Sequence, residues 1–492
     1  MIPENYGGLG LSQYAYGRIF EELGYLDASI AVTVGAHSSI GLKGLLLFGN
    51  EDQKKRYLPK LASGEMLAAF ALTEPGAGSD AYSIQTRAVR QPDGSYVLNG
   101  NKIWITNGGI ADFFTVFAKT EMDTPEGKKD RVTAFIVTRD MAGFSNGKEE
   151  KKLGIRGSST TEISFSNVRV PSENILGEPG KGFKMAMEIL NSGRLGLATG
   201  SVGGAKRLLE LASTHATERK QFGKPIAEFG MIKEKLGQMA IDIYANECAA
   251  YLTCSLVDRK TEDYSIESAI CKVSASEMLW SVANEAMQIA GGSSYMQEYP
   301  YERMLRDARI NMIFEGTNEI LRSYIALSAM KGMGDYLKVV GKALNAPIKS
   351  LGVLYDYFVS HKISRSITGD QIRGAHPELK KETGMIEEFV SELSISVEKV
   401  ILRHKQAIWE KQFVQKRIAE IAIDLYRMIA VVSRTSRLLE KSATCKEADM
   451  ARVFCAQAGK RIARNFREMD RNQDEILKSV SMAVESAKGY PF

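Results

Sequence analysis

Glu315 stands between the apolar pair Ile313-Phe314 and the break Gly316-Thr317-Asn318. A carboxylate placed after an apolar run loses hydration, which raises its pKa toward the range where a general base works. Thr317 or Asn318 could cap the helix that follows. A lone acid near a helix start is more often structural, and position alone does not decide between the two. A second stretch, Phe70-Ala71-Leu72-Thr73-Glu74-Pro75-Gly76-Ala77-Gly78-Ser79-Asp80, reads as a strand entering a loop. Its two glycines let backbone amides approach a ligand, and Thr73 and Ser79 add hydroxyls, so the loop could hold a phosphate or the edge of a flavin. An ordinary Gly/Pro turn has the same composition. In Asn99–Gly109, Trp104 and Thr106 lie two residues apart on a strand and share a face. A Trp beside a hydroxyl could stack on an aromatic cofactor, although a core Trp is commoner. Glu218-Arg219-Lys220-Gln221-Phe222-Gly223-Lys224-Pro225 closes a long helical pattern. Its cations either complement the helix dipole or bring Arg219 to a phosphate.

Other chemistries lack their residues. No G-x-G-x-x-G follows a strand, which removes support for a dinucleotide-binding Rossmann unit, and there is no P-loop or G-x-S-x-G elbow. The five cysteines are odd in number and form no C-x-x-C, and the five histidines are scattered, so a disulfide framework or a zinc site is not favoured. The net charge is +5, from 64 basic and 59 acidic residues. Both signs are spread along the chain, which argues against nucleic acid as a partner. A weakly basic surface suits an anionic substrate or membrane. No apolar run reaches the ~18 residues of a membrane span. The opening MIPENYGGLG has neither a signal peptide's order of basic then apolar residues nor a transit peptide's composition.

The elements that must position these residues follow from periodicity. From Ser12 to about Leu61 the spacing is helical, with Phe20, Leu23, Ile30, Val34 and Ile40 recurring. Short β runs follow at Tyr96–Leu98, Lys102–Thr106, Phe113–Lys119, Val132–Val137 and Glu162–Val170, with a turn at Pro92-Asp93-Gly94. The helical period returns at 181–190, 195–217, 229–259, 264–290 and near 318–330, and the region from about 334 to 492 is helical throughout. The expected fold class is α+β and multidomain: a helical domain over 1–63, a β domain over 64–175, a four-helix bundle over 176–331 and a helical extension over 332–492.

Taken in order, the TEPGAGSD loop, WITNGG, ERKQFGKP, Gly291-Gly292 and EGTNEILR resemble the acyl-CoA dehydrogenase family over Ile2 to Lys331. The helical tail is similar to that of the very-long-chain members and of their relative implicated in respiratory-complex assembly. The resemblance implies an enzyme of fatty-acid β-oxidation that uses FAD to turn long-chain acyl-CoA into trans-2-enoyl-CoA and passes electrons to an electron-transfer flavoprotein. It implies that Phe70, Leu72 and Thr73 line the flavin, that Trp104 packs on it, and that Thr106 bonds its edge. Ser79 is expected near the pyrophosphate and the substrate. Arg219, Gln221, Phe222, Gln288 and Gly292 are expected to reach the FAD of a neighbouring subunit, which makes the chain at least a homodimer. Thr317 and Glu319 are expected to contact the dinucleotide, and Asn191, Arg194 and Gly316 the substrate. Glu315 matches the family's usual base. Gly193 occupies the alternative position used by some members, and glycine cannot abstract a proton.

Further expectations come with it. Gly41 and Gly44, three apart, are expected to leave room for a long acyl chain, or else to allow a tight helix contact. Ile348, Leu351, Leu354, Tyr355 and Phe358 form an apolar stripe after Pro347, with cations around it, which reads as an interfacial helix for anionic lipid. The segment Pro3-Glu4-Asn5-Tyr6-Gly7-Gly8 normally follows several helices in the family, so the first helices are expected to be missing here. The expected location is the bacterial cytoplasm, peripheral at the inner membrane, or the mitochondrial matrix. The competing functional class is an assembly protein of respiratory complexes that keeps the same fold.

Overall fold

A computed structural model of the chain describes residues 1–261, 263–344, 372, 374–442 and 445–491. They form two compact units, Met1–Asn318 and Glu319–Phe492.

The first unit opens with helices α1 (Gln13–Leu26), α2 (Ala28–Gly35), α3 (Lys43–Phe48) and α4 (Glu51–Ser63). Local sequence starts and stops them. Ser12, Asp27 and Asn50 cap α1, α2 and α4 by accepting backbone N–H groups, with Gln53 completing a capping box, and Gly64 ends α4 in the left-handed region. Between α2 and α3 the six residues Ala36–Gly41 form a π-helical turn. There His37 Nδ1 accepts from the Ala68 N–H at 3.0 Å, so its Nε2 carries the proton and donates to the Leu61 carbonyl at 3.1 Å. Burial lowers the pKa of this ring, which favours the neutral form these partners require. The stretch Ala28–Phe48 is long and apolar enough to cross a bilayer, contrary to the expectation that no segment has that character. In this fold Leu42, Gly44 and Leu45 are buried, and the Gly41 carbonyl accepts from Thr115 Oγ1 at 2.8 Å.

The sheet is mixed. Strands β1 (Ala68–Ala71), β2 (Arg87–Arg90), β3 (Tyr96–Thr106), β4 (Phe113–Thr124), β5 (Gly127–Thr138), β6 (Phe144–Asn146), β7 (Thr160–Val170) and β8 (Ile175–Leu176) lie in the order β6-β7-β3-β2-β4-β5-β8, with β1 parallel beside β4. The separate runs read at 96–98 and 102–106 join into one strand. Gly100 bridges them at φ +145°, where a Cβ would sit 2.6 Å from Thr86 Oγ1. One sheet face buries Leu98, Phe114, Phe135 and Ile163. The other buries Phe113, Phe117 and Ile136 against Leu45, Leu58 and Ile189 from the surrounding helices.

Helices α5 (Gly182–Glu218), α6 (Gly230–Asp258), α7 (Ser265–Ala290) and α8 (Tyr301–Ala308) build the bundle around Val202, Leu208, Ile243, Val282 and Ile289. The two-residue strands β9 (Lys220–Gln221) and β10 (Lys224–Pro225) form a hairpin between α5 and α6. Helix α5 runs unbroken through Asn191-Ser192-Gly193-Arg194, where the sequence spacing suggests an interruption. Glycine in a helix interior costs about 1 kcal/mol relative to alanine, but here it is fully packed and its missing Cβ is needed, as described below.

In the second unit α9 (Asn318–Leu344), whose first residue belongs to the first unit, is followed by α10 (Lys380–His404), α11 (Gln412–Lys441), α12 (Lys446–Asp470) and α13 (Asp474–Ala487). Ile418, Ile421, Leu425 and Met428 on α11 and Phe454, Ala458 and Ile462 on α12 are buried at helical spacing. Buried Asp424 accepts from Arg461 at 2.8 and 2.9 Å and from Arg427. The apolar stripe 348–358 expected to meet lipid lies outside the described residues.

Candidate active site

Glu315 adopts φ +57° and Gly316 φ +93°. A left-handed backbone costs a residue with a Cβ roughly 1–2 kcal/mol, so other contacts must impose the turn. Three side chains do so. Arg194 of α5 donates its Nε to the Glu315 carbonyl at 3.3 Å and a second nitrogen to Asn191 Oδ1 at 3.0 Å. Lys272 of α7, with no exposed surface, donates to the Gly316 carbonyl and to Asn318 Oδ1, both at 2.8 Å. Asn318 in turn donates to Ser276 Oγ and Glu277 Oε1, each at 3.1 Å.

The turn aims the Glu315 carboxyl at α5. A Cβ on Gly193 would lie 2.5 and 2.6 Å from its two oxygens and 2.7 Å from Ile40 Cγ2. The absent side chain at 193 is therefore the space that the carboxyl fills. Although Glu315 retains some surface, its Oε2 is shut off from solvent and, among the described residues, has no hydrogen-bond partner. Burial pushes its pKa up to about 7, against the opposing pull of the Arg194 and Lys272 charges. Such a group changes protonation at neutral pH and, when ionised, has a free lone pair. It is equipped to take a proton from something lying beside it.

A second cluster lies at the edge of the sheet. Phe70 on β1 packs on Phe117 at 5.0 Å between ring centroids. Leu72 and Thr73 leave the strand with their carbonyls held: Lys102 Nζ donates to Leu72 at 3.0 Å and the Ile103 N–H to Thr73 at 3.0 Å. Lys102 also pairs with Glu74 at 2.7 Å, and Glu74 accepts from the backbone N–H groups of Gln85 and Thr86. Both charges are buried. Desolvation lowers the Lys102 pKa to about 8, against the attraction of Glu74. This pair was not anticipated from sequence. Alternation alone puts Lys102 on the face of Trp104 and Thr106, and only a bulge in β3 separates them.

In β3 the register against β7 shifts between Lys102 and Ile105, and Trp104 takes φ +55°. The bulge turns Trp104 outward, where it is 64% exposed, with half-buried Thr106 on the same side. Next to it Gly76 and Gly78 have nothing within 4 Å of a built Cβ, and Ser79 is exposed. An outward indole, a hydroxyl beside it and an open glycine loop fixed by a buried ion pair fit a flat cofactor with a phosphate tail. The π-helical turn connects the two clusters, since Ile40 meets the Glu315 carboxyl region while Gly41 packs on Ala68 at the start of β1.

Five of the remaining residues singled out from sequence are not brought to this place. Arg219, Gln221 and Phe222 sit at the exposed β9–β10 hairpin, and Gln288 and Gly292 are exposed at the far end of α7. Gly193 and Glu218 share one unbroken helix, so about 38 Å of helix axis separates them at 1.5 Å per residue. Phe222 and Gly223 both have positive φ, the geometry of a tight two-residue hairpin turn, and Phe222 is 94% exposed. Glu319 is exposed on the first turn of α9. Gly41 and Gly44 do not face open space. A Cβ on Gly41 would meet Ala36 O at 2.5 Å and Ala68 Cβ at 2.8 Å, and one on Gly44 would meet Ile189 at 3.0 Å and Leu176 at 3.1 Å, so both glycines permit close packing. Among the described residues no group of three or more His, Cys, Asp or Glu side chains could hold a metal.

Comparison with known proteins identifies the family of the chain. The family models for the acyl-CoA dehydrogenase N-terminal, middle and C-terminal domains match residues 1–65, 69–168 and 180–330, and the ACAD9/ACADV C-terminal domain matches 377–490. The chain is 44% identical to the mitochondrial very long-chain specific acyl-CoA dehydrogenase of Macaca fascicularis, over 98% of this chain and 76% of that protein. It superposes with a TM-score of 0.82 on a Bacillus anthracis acyl-CoA dehydrogenase crystallised with FAD, at 37% identity over 95% of this chain and 79% of that one. On the butyryl-CoA dehydrogenase of Megasphaera elsdenii the TM-score is 0.64, at 42% identity, covering 67% of this chain and 86% of that one. With its helical, β and helical regions in the family's order, the chain belongs to the acyl-CoA dehydrogenases, a family of flavin-dependent oxidoreductases.

Proposed function

We propose that this protein oxidises long-chain acyl-CoA thioesters to trans-2-enoyl-CoA with FAD as cofactor and Glu315 as the base. The observation that carries the assignment is a solvent-shielded carboxyl with a pKa of about 7 and an unpartnered oxygen, lodged in the gap that Gly193 leaves. Long-chain specificity is supported by the 44% identity with the very-long-chain relative over nearly the whole chain.

In this reading the ionised Glu315 takes the proton α to the thioester carbonyl. Its own backbone N–H faces that carbonyl and stabilises the negative charge that develops there. Arg194 and Lys272 hold the carbonyls of the turn, so the amides are oriented before substrate arrives. Bound FAD supplies the acceptor for the β-hydrogen, which leaves as hydride. Phe70, Leu72, Thr73, Trp104 and Thr106 would hold its ring system, Ser79 and Thr317 its polar part and the adjoining substrate, and Asn191 with Arg194 and Gly316 the CoA side. Arg219, Gln221, Phe222, Gln288 and Gly292 would serve the cofactor of a second copy, a role supported by their distance from this chain's own Glu315. Glu319 would contact the dinucleotide from the start of α9.

The same reading divides the chain at about residues 63, 175 and 331. It takes an electron-transfer flavoprotein as the electron acceptor and the bacterial cytoplasm or mitochondrial matrix as the setting. Peripheral contact with anionic lipid is proposed from the sequence around 336–365 alone, and liposome co-sedimentation of the intact chain is its test.

The decisive experiment is anaerobic titration of the FAD-loaded protein with acyl-CoA from C8 to C20. Flavin bleaching is expected to be fastest at C16 or longer. Glu315→Gln is expected to retain FAD and to bleach at least ~100-fold more slowly. Near wild-type bleaching by that variant would remove Glu315 from the chemistry, and a C8 optimum would remove the long-chain assignment.

A further inference from the structure

Lys272 is fully buried on α7, 43 positions before the proposed base, and its ammonium lies 2.8 Å from the Gly316 carbonyl and 2.8 Å from Asn318 Oδ1. A buried cation is costly to keep unless its site uses it. Here it is spent on the turn that displays Glu315, a non-glycine residue at φ +57° followed by Gly316 at φ +93°. Arg194 grips the preceding carbonyl from the opposite helix. The loop is therefore clamped between α5 and α7 by one cation from each, and Asn318 passes the α7 clamp on to Ser276 and Glu277.

We propose that Lys272 is a positioning residue for the reaction: it clamps the Glu315–Gly316 turn through the Gly316 carbonyl and places a fixed positive charge behind the base. The inference rests on the reading of Glu315 as that base. The two cations differ in kind. Arg194 also bonds Asn191, on the side read as meeting substrate, whereas Lys272 bonds the loop and the Asn318 side chain, so its contribution is separable from substrate binding. Charged and titratable groups face Glu315 from three helices: Arg194 from α5, Lys272 from α7 and Tyr16 from α1. The Tyr16 hydroxyl is hydrogen-bonded with Ser38 at 2.7 Å and kept protonated by burial. The positive charges favour the carboxylate and oppose its desolvation. Removing one of them leaves desolvation less opposed, so the base should hold its proton to higher pH.

The test is the pH dependence of anaerobic flavin bleaching by palmitoyl-CoA, from pH 5.5 to 9, in full-length FAD-loaded protein. The wild-type rate is expected to rise through a midpoint near 7. Lys272→Met is expected to move that midpoint up by about one pH unit, as loss of a nearby opposite charge does. Its high-pH plateau should fall roughly 10-fold through loss of the clamp. Asn318→Asp keeps Lys272 and sets a carboxylate against the ammonium, while giving up the two bonds that Asn318 donates to Ser276 and Glu277. It is expected to move the midpoint in the same direction, and it decides the matter if the Met variant does not retain FAD. A merely structural lysine would change stability or yield and leave the midpoint alone. Midpoints within 0.2 of wild type in FAD-loaded variants would overturn the proposal while leaving Glu315 as the base. A wild-type protein that no acyl-CoA bleaches would overturn both.

Discussion

At the residue scale, Glu315 carries a conflict between folding and chemistry. Its carboxyl binds a proton more tightly in the folded chain, at about 7, than in the unfolded chain, near the ordinary value of a glutamic acid. The folded state gains from that proton below pH ~4.3, and the gain is lost as pH rises through 7, where the desolvated carboxylate must be tolerated. Glu315→Gln removes the conflict. The variant is expected to gain in stability over wild type between pH 5 and pH 8, by up to ~3 kcal/mol. Thermal melts of both proteins at the two pH values would check this, and parallel losses between pH 5 and 8 would contradict it. Gly193 belongs to the same conflict, since no side chain at 193 could coexist with the carboxyl where it now lies.

At the element scale, two irregularities do the positioning. The π-helical turn Ala36–Gly41 sets Ile40 against the Glu315 region and Gly41 against β1, and His37 ties that turn to Leu61 and Ala68. The bulge in β3 presents Trp104 to solvent while Lys102, two residues earlier, points inward to Glu74. Because Glu74 in turn holds the amides of Gln85 and Thr86, one ion pair fastens β1, β2 and β3 beneath the glycine loop. Removing one member of a buried pair strands the other charge. Lys102→Met is therefore expected to cost 3–5 kcal/mol, about as a broken buried pair does, and to lower FAD occupancy as the loop loosens. Chemical denaturation and the ratio of flavin to protein absorbance measure the two effects. An unaltered denaturation midpoint would mean that Glu74 finds another partner.

At the scale of the whole molecule, the residues read as cofactor contacts fall into two groups that a single chain keeps apart along α5. Phe222 is exposed in a left-handed turn, and among the described residues its one aromatic ring contact is Phe229, edge-on at 6.0 Å. The proposed assembly of at least two copies would account for this separation. Light scattering is then expected to give a mass of at least twice 54.2 kDa. Phe222→Ala should weaken FAD retention about 10-fold, or ~1.4 kcal/mol, with little change in the melting of the FAD-free protein. A 54.2 kDa species with full flavin content would refute the shared site.

Sequence alone determined the order of helical and β regions, because burial imposes periods of 3.6 and 2 on the residues themselves. It also determined the Pro92-Asp93-Gly94 turn, because such a stop is satisfied within a few residues. Glu315 could be nominated from its neighbours and from motif resemblance, but not distinguished from a structural acid by position. What only the tertiary structure decided are the contacts between distant segments. Gly193 looked like a helix interruption and is the cavity for a carboxyl 122 positions later. Gly41 and Gly44 could be read as room for a chain or as a tight contact, and they are packing contacts. Lys102 and Lys272 were given no role by the sequence and are fully buried, each on a carbonyl and a side-chain oxygen from another element. A pKa is of the same kind. It depends on what surrounds a group in space, and for Glu315 that means desolvation together with charges on two other helices, none of which is local in the chain.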